Sequence, residues 1–183
     1  LKYREKVSKE IFDIENLEEY TNKLKQEIQK LKLEMLELSN KLHKIRVEVS
    51  KKLNTNINYE LVDLEMKNSK FIVDIKFNEN EEFNENGLDK VEFLISTNIG
   101  EDYKELTKIA SGGEMSRIML AIKTVLADVD EVPVLVFDEI DTGISGIAAN
   151  SVGNKMKMIS KKHQVICITH LATIAAKGDF NYY

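Results

Sequence analysis

Between Ile109 and His170 the chain gathers side chains and bare backbone of the kinds that hold and cut phosphate esters. Ser111 and Glu114 stand three apart, ahead of an apolar run at helical spacing (Met115, Ile118, Met119, Ile122, Val125, Leu126). That is a capping box opening an amphipathic helix. Gly112 and Gly113 leave its first turn without side chains, so unpaired N–H groups and the positive end of the dipole stand open to a phosphate. An ordinary capped helix would read the same way. Asp138 and Glu139 follow the run Val134-Leu135-Val136-Phe137. At such a place one acid can hold Mg²⁺, directly or through water, while the other takes a proton from an attacking water; two helix-capping residues would do neither. His170, after Gln164-Val165-Ile166-Cys167-Ile168-Thr169, can donate to a γ-phosphate or orient that water, although a lone histidine is often structural.

These groups need a frame. Continuous apolar runs bounded by polar turns predict two strands of a parallel sheet, each buried on both faces. Asp138 and Glu139 then sit at the carboxyl end of the first, where open α/β sheets place their ligands. Adjacent strand residues point opposite ways, so the two acids have separate tasks. The tight loop Asp141-Thr142-Gly143-Ile144-Ser145-Gly146 feeds a helix with Ala148, Ala149, Val152, Met156 and Ile159 inward. Strand, helix and strand make a right-handed crossover with one shared ligand edge. Leu171 to Ala176 begins a further helix, and Phe180 to Tyr183 reads as the start of a strand. His43 and His163 lack such a setting and are assigned to the surface. Cys167, the single cysteine, reads as a buried structural thiol, and no disulfide framework is possible.

Upstream, residues 71–77 and 91–97 are rich in β-branched and aromatic side chains and predict an antiparallel pair. The acidic loop between them, with Glu79, Glu81, Glu82 and Glu85, shows no metal-ligand spacing and reads as solvated. Residues 1–60 predict a helical arm: every glycine lies at Gly87 or later and the single proline is Pro133. Ile28, Leu31, Met35, Leu38, Leu42, Ile45 and Val49 alternate steps of three and four, a coiled-coil stripe that calls for a partner helix. Leu17, Tyr20 and Leu24 extend it past a stutter. Lys23, Lys25, Lys30, Lys32, Lys41, Lys44, Lys51 and Lys52 belong to a solvated face or to a DNA contact.

The chain has 183 residues, a net charge of −5, and apolar runs too short to cross a bilayer. It begins at Leu1 without a signal-peptide pattern, and the expectation is a cytoplasmic piece of a longer protein. No Gly-x-x-x-x-Gly-Lys-Ser/Thr occurs, so the loop that wraps β- and γ-phosphates is missing. Half a site is present, and nucleotide binding by this chain alone is expected to be weak or absent.

The wording and order of these motifs resemble the ABC-type ATPases. Ala110 to Arg117 resembles the signature, Val134 to Glu139 a Walker B strand, Asp141 to Ser145 a D-loop, and Thr169-His170 the switch histidine. An arm ahead of the signature resembles the SMC-like branch, and Phe137 to Gly146 with Gln164 to Leu171 resembles its bacterial DNA-repair ATPases, the RecN family. The resemblance implies an α/β fold: residues 61–183 as the carboxyl-terminal half of a P-loop NTPase head with a mostly parallel sheet, the amino-terminal half with Walker A lying elsewhere in the protein. It implies ATP and Mg²⁺ as cofactors, DNA as partner, a nucleoid-associated place in the cytoplasm, no membrane, and homodimeric heads that sandwich ATP. Ser111, Gly112, Gly113 and Glu114 would then meet nucleotide held by the opposite head, with Asp141 reporting across the interface. Asp138 would serve Mg²⁺, Glu139 would be the general base, and His170 would sense the γ-phosphate. A transporter cassette would more often carry Gln at the position of Glu114. A coiled-coil scaffold with a degenerate head is the competing reading from another class.

Overall fold

The computed structural model describes residues 2–79, 83–144 and 146–182; Ser145, Glu81, Glu82 and Tyr183, named above, lie outside them. The glycine-free third forms one helix, α1 (Lys2–Asp63). By its contacts the chain divides into two compact units, Leu1–Ile45 with Phe77–Asp89, and Arg46–Lys76 with Lys90–Tyr183.

In the first unit the stripe residues Ile28, Leu31, Met35 and Leu38 are exposed, and among the described residues nothing covers them. Of the lysines on this helix, Lys23, Lys41 and Lys52 pair with glutamates one turn away at 2.7, 2.7 and 3.0 Å, and Lys6 and Lys30 do so at 3.9 Å. These are exposed i,i+4 pairs of small individual value. His43 is not a free surface residue: its Nδ1 lies 2.6 Å from Asp89 Oδ1, and its ring packs on Phe77 with centroids 5.0 Å apart.

The second unit holds the core. Leu61, Leu64 and Met66 end the helix and bring the chain into it, beside Phe71, Ile95, Ile118, Leu120, Leu135, Phe137, Ile140, Val152 and Ile159. Strands β1 (Lys70–Phe77), β2 (Asp89–Ser96) and β3 (Lys104–Glu105) form a sheet in that order, with β2 and β3 antiparallel. β3 has only two residues, too few to show a period in the sequence. One edge of β1 is completed by α1: Asn58 accepts from the Phe71 N–H and donates to the Phe71 carbonyl, both at 2.8 Å, and Asn54 accepts from the Val73 N–H at 2.8 Å. Two asparagines one helical turn apart thus imitate a neighbouring strand.

After α2 (Gly112–Leu126) come β4 (Val134–Phe137), α3 (Gly146–Ile159), β5 (Gln164–Cys167) and a single turn, α4 (Ala172–Ala175). β4 and β5 pair in parallel with Val134 opposite Gln164 and Phe137 opposite Cys167. Burial on both faces is not what is found. Leu135 and Phe137 enter the core, whereas Val134, Val136, Ile166 and Ile168 are 39%, 62%, 47% and 52% exposed. Among the described residues nothing covers that face, so the alternation of the pleat shows. Phe180 to Tyr182 form no strand. His163 is buried rather than superficial: its Nδ1 bonds the Val132 carbonyl at 2.7 Å and ties the start of β5 to the turn before β4.

Candidate functional site

α2 opens as its residues dictate. Ser111 is the N-cap in extended conformation, and its Oγ accepts from the Glu114 N–H at 3.4 Å. The two glycines admit the loop that follows β4. A Cβ on Gly113 would stand 2.9 Å from the Glu139 carbonyl and 3.0 Å from Thr142 Cβ; on Gly112 it would stand 2.5 Å from Glu139 Oε2. Glycine at position 113 is therefore a condition for the acidic loop to lie on the helix start, whereas a side chain at position 112 would displace only the movable Glu139 carboxylate. The Glu139 carboxylate rests where the unpaired amides and the dipole favour negative charge.

β4 ends at Phe137, and the chain then turns sharply. Glu139 has φ of 56°, a left-handed conformation uncommon for a residue with a side chain. The turn closes with the Thr142 N–H on the Glu139 carbonyl at 3.0 Å, and Asp138 Oδ1 accepts from the Glu139 N–H at 2.9 Å. Asp138 and Glu139 are both exposed, while Ile140 between them and Asp141 is wholly buried as an anchor. Ser116 Oγ donates to the Asp138 carbonyl at 2.7 Å.

Asp141 is turned inward. Its Oδ2 accepts from Thr169 Oγ1 at 2.6 Å, the His170 N–H at 2.7 Å and the Leu171 N–H at 3.2 Å. Burial acts to raise its pKa, but the bonds from Thr169 and from the backbone outweigh it and hold the carboxyl below its ordinary value. Asp141 thereby ties the end of β4 to the end of β5, and it fixes the backbone of His170 while leaving that side chain exposed. Cys167, half buried beneath this junction, has its thiol pushed up to about 11, first by burial and then by the charges of Asp141 and Asp138.

Asp141 thus joins the end of β4, which leads into Asp138 and Glu139, to the Thr169-His170 pair after β5, and Glu139 lies against Gly112 and Gly113. Glu114, half buried, lines with Ser111 a separate cavity of about 200 Å³, shared with Lys104 and Lys108 and not with either acid of the pair. No three His, Cys, Asp or Glu side chains among the described residues converge on a metal position. Asp138 by itself suits Mg²⁺, which takes one or two carboxylates and completes its shell with water and substrate phosphate. None of Asn54, Asn58 and Arg117, whose side chains bond distant backbone groups, was singled out from the sequence. The first two did show a signal: a pair one turn apart on the helix that precedes a strand.

No protein-family model matches the chain. It is 39% identical to DNA repair protein RecN of Bacillus subtilis over 196 residues, covering 100% of this chain and 34% of that protein. To the RecN of Treponema pallidum it is 42% identical, covering 98% of this chain and 32% of the relative. The chain thus spans about a third of the length of the curated relatives it matches. Among solved structures it resembles the Smc head domain with an extended coiled coil from Pyrococcus furiosus, with a TM-score of 0.54 and 21% identity over 78% of this chain and 34% of that one. The Smc head with coiled coil and joint from Pyrococcus yayanosii gives 0.52 and 21%, over 74% and 24%. At that identity the likeness shows the fold, an SMC head of the P-loop NTPase class.

Proposed function

Because this chain belongs to the RecN family, we propose that it is the carboxyl-terminal part of an SMC-like ATPase head acting in recombinational repair of DNA double-strand breaks. In this reading the rest of the protein supplies Walker A, and the open face of Val134, Val136, Ile166 and Ile168 is where that half of the head packs. Residues 1–60 form one limb of the coiled-coil arm, and DNA is bound by the full-length protein in the nucleoid.

The chemistry follows from the strand ends. Glu139 accepts the proton of the water that attacks the γ-phosphorus, and the bond to the leaving ADP oxygen breaks in line. His170, its backbone fixed by Asp141, donates to the γ-phosphate in its own head. Ser111, Gly112 and Gly113 present their helix start to the nucleotide of the opposite head, so the site is complete only when two heads meet. Asp138 would hold Mg²⁺, which when bound neutralises charge on the β- and γ-phosphates. Without the Walker A half this chain binds ATP weakly and does not hydrolyse it. The observation that carries the reading is the in-register β4–β5 pair, with Asp141 joining the strand ends that lead into Asp138 and Glu139 on one side and His170 on the other.

Glu139→Gln in the full-length protein tests it. Removal of the general base is expected to lower kcat by about a hundredfold or more and to trap ATP-bound dimers visible by gel filtration. Unchanged hydrolysis, or monomers throughout, would favour the non-hydrolysing scaffold instead.

A further inference from the structure

The loop that carries both acids is not held by strand pairing, because β4 has ended at Phe137. Its carbonyls are held instead from the second turn of α2. Ser116 Oγ donates to the Asp138 carbonyl at 2.7 Å, and Arg117 Nη1 donates to the carbonyls of Ile140 and Thr142 at 3.2 and 2.9 Å. Two adjacent side chains thus clasp alternate carbonyls of one loop.

Arg117 is 7% exposed, and Ile118, Leu120 and Ala121 beside it fill the core without it. An arginine is almost never this buried unless paired, and the Arg117 Nε finds no acceptor among the described residues. Burial lowers its pKa, opposed by the Glu114 carboxylate one turn earlier. Packing alone therefore gives no reason for a guanidinium here. The two carbonyls do: an apolar side chain would leave both without their donor. On its far side the same loop is tied by Asp141 to Thr169 and to the amides of His170 and Leu171.

We infer that Arg117 is a positioning residue for the hydrolysis proposed above, through which the signature helix sets Glu139 by holding the loop carbonyls that follow it, and His170 by way of Asp141. This rests on the ATPase reading and adds to it a mechanical link. Whatever moves the start of α2, such as contact with nucleotide in an opposite head, is carried to the general base of its own head.

The test uses the full-length protein with Arg117→Lys and Ser116→Ala, beside Glu139→Gln. A lysine keeps the charge but carries it on a flexible stem, without the planar guanidinium that fixes Nη1 between the two carbonyls. Arg117→Lys is expected to lower kcat about ten- to a hundredfold, the scale of a small misplacement of reacting groups. KM for ATP should move by less than about twofold, since ground-state binding is untouched. Hydrogen exchange at the amides of Thr142, His170 and Leu171 should speed by about tenfold as the loop opens locally. Ser116→Ala should change both readouts in the same direction and by less.

Unchanged kcat and exchange, with Glu139→Gln inactive, would overturn the inference and leave the ATPase reading standing. A fall in kcat that only follows the folded fraction measured by thermal unfolding would also overturn it. A parent protein that hydrolyses no ATP, or a Glu139→Gln variant as active as its parent, would remove the reading and this inference together.

Discussion

Asp141 is a structural carboxylate set close in sequence to the acid proposed as general base. Two residues from Glu139, it spends its charge on three donors of the neighbouring strand end. Because its folded pKa is held below the ordinary value, the stability it contributes is fully present above the unfolded value of about 3.9 and is lost as pH falls through the folded one. Asp141→Asn is therefore expected to cost about 1.5–3 kcal/mol near neutral pH. In urea unfolding the gap between parent and variant should close in acid, below the carboxyl's ordinary range. Cys167 offers a simpler check. With its pKa at about 11 the thiol stays protonated at neutral pH, and alkylation by iodoacetamide should run roughly two orders of magnitude slower than at an unperturbed cysteine. Denaturant should restore the rate.

At the scale of elements, what decides the fold is how helices finish the strands. α1 closes the edge of β1 with Asn54 and Asn58, and its last turns are also tied to α3. Lys155, buried on α3, bonds Glu60, and it bonds Asp63 at 3.0 Å. Burial alone would lower the pKa of Lys155, but the two carboxylates raise it, so the ammonium stays charged. Asn58→Leu would strip the Phe71 N–H and carbonyl of their partners at once. The expected loss is about 2–4 kcal/mol by urea unfolding, with Asn54→Ala costing about 1 kcal/mol. A much smaller loss for Asn58→Leu would mean that the edge of β1 finds other donors and acceptors.

For the whole molecule the open face of β4 and β5 is the feature that matters. Val136 lies opposite Ile166, and both are exposed in this chain. If the other half of the head packs there, Val136→Lys should leave the stability of this chain nearly unchanged. In the full-length protein it should cost roughly 3–5 kcal/mol, the penalty for burying an unpaired charge. Equal effects in the two proteins, by chemical denaturation, would show that this face is not a packing surface. The apolar stripe of α1 has the same character, a face whose period is written in the sequence and whose partner is not among the described residues.

The residues alone determined a good deal. Absence of glycine and proline predicted the long helix, and Ser111 three residues before Glu114 predicted the start of α2. Two apolar runs ending on polar groups predicted the parallel pair that carries the acids. Those signals are local, because period, capping and turn chemistry act over a few residues. Tertiary structure decided the rest. It buried His163, turned Asp141 inward to the neighbouring strand end, and laid Glu139 on Gly112. It also opened one face of a strand pair whose composition predicted two covered faces. Each of these depends on which distant backbone group comes within hydrogen-bonding reach, or on which neighbour is there to exclude water. Such distances follow from packing, and no spacing along the chain encodes them.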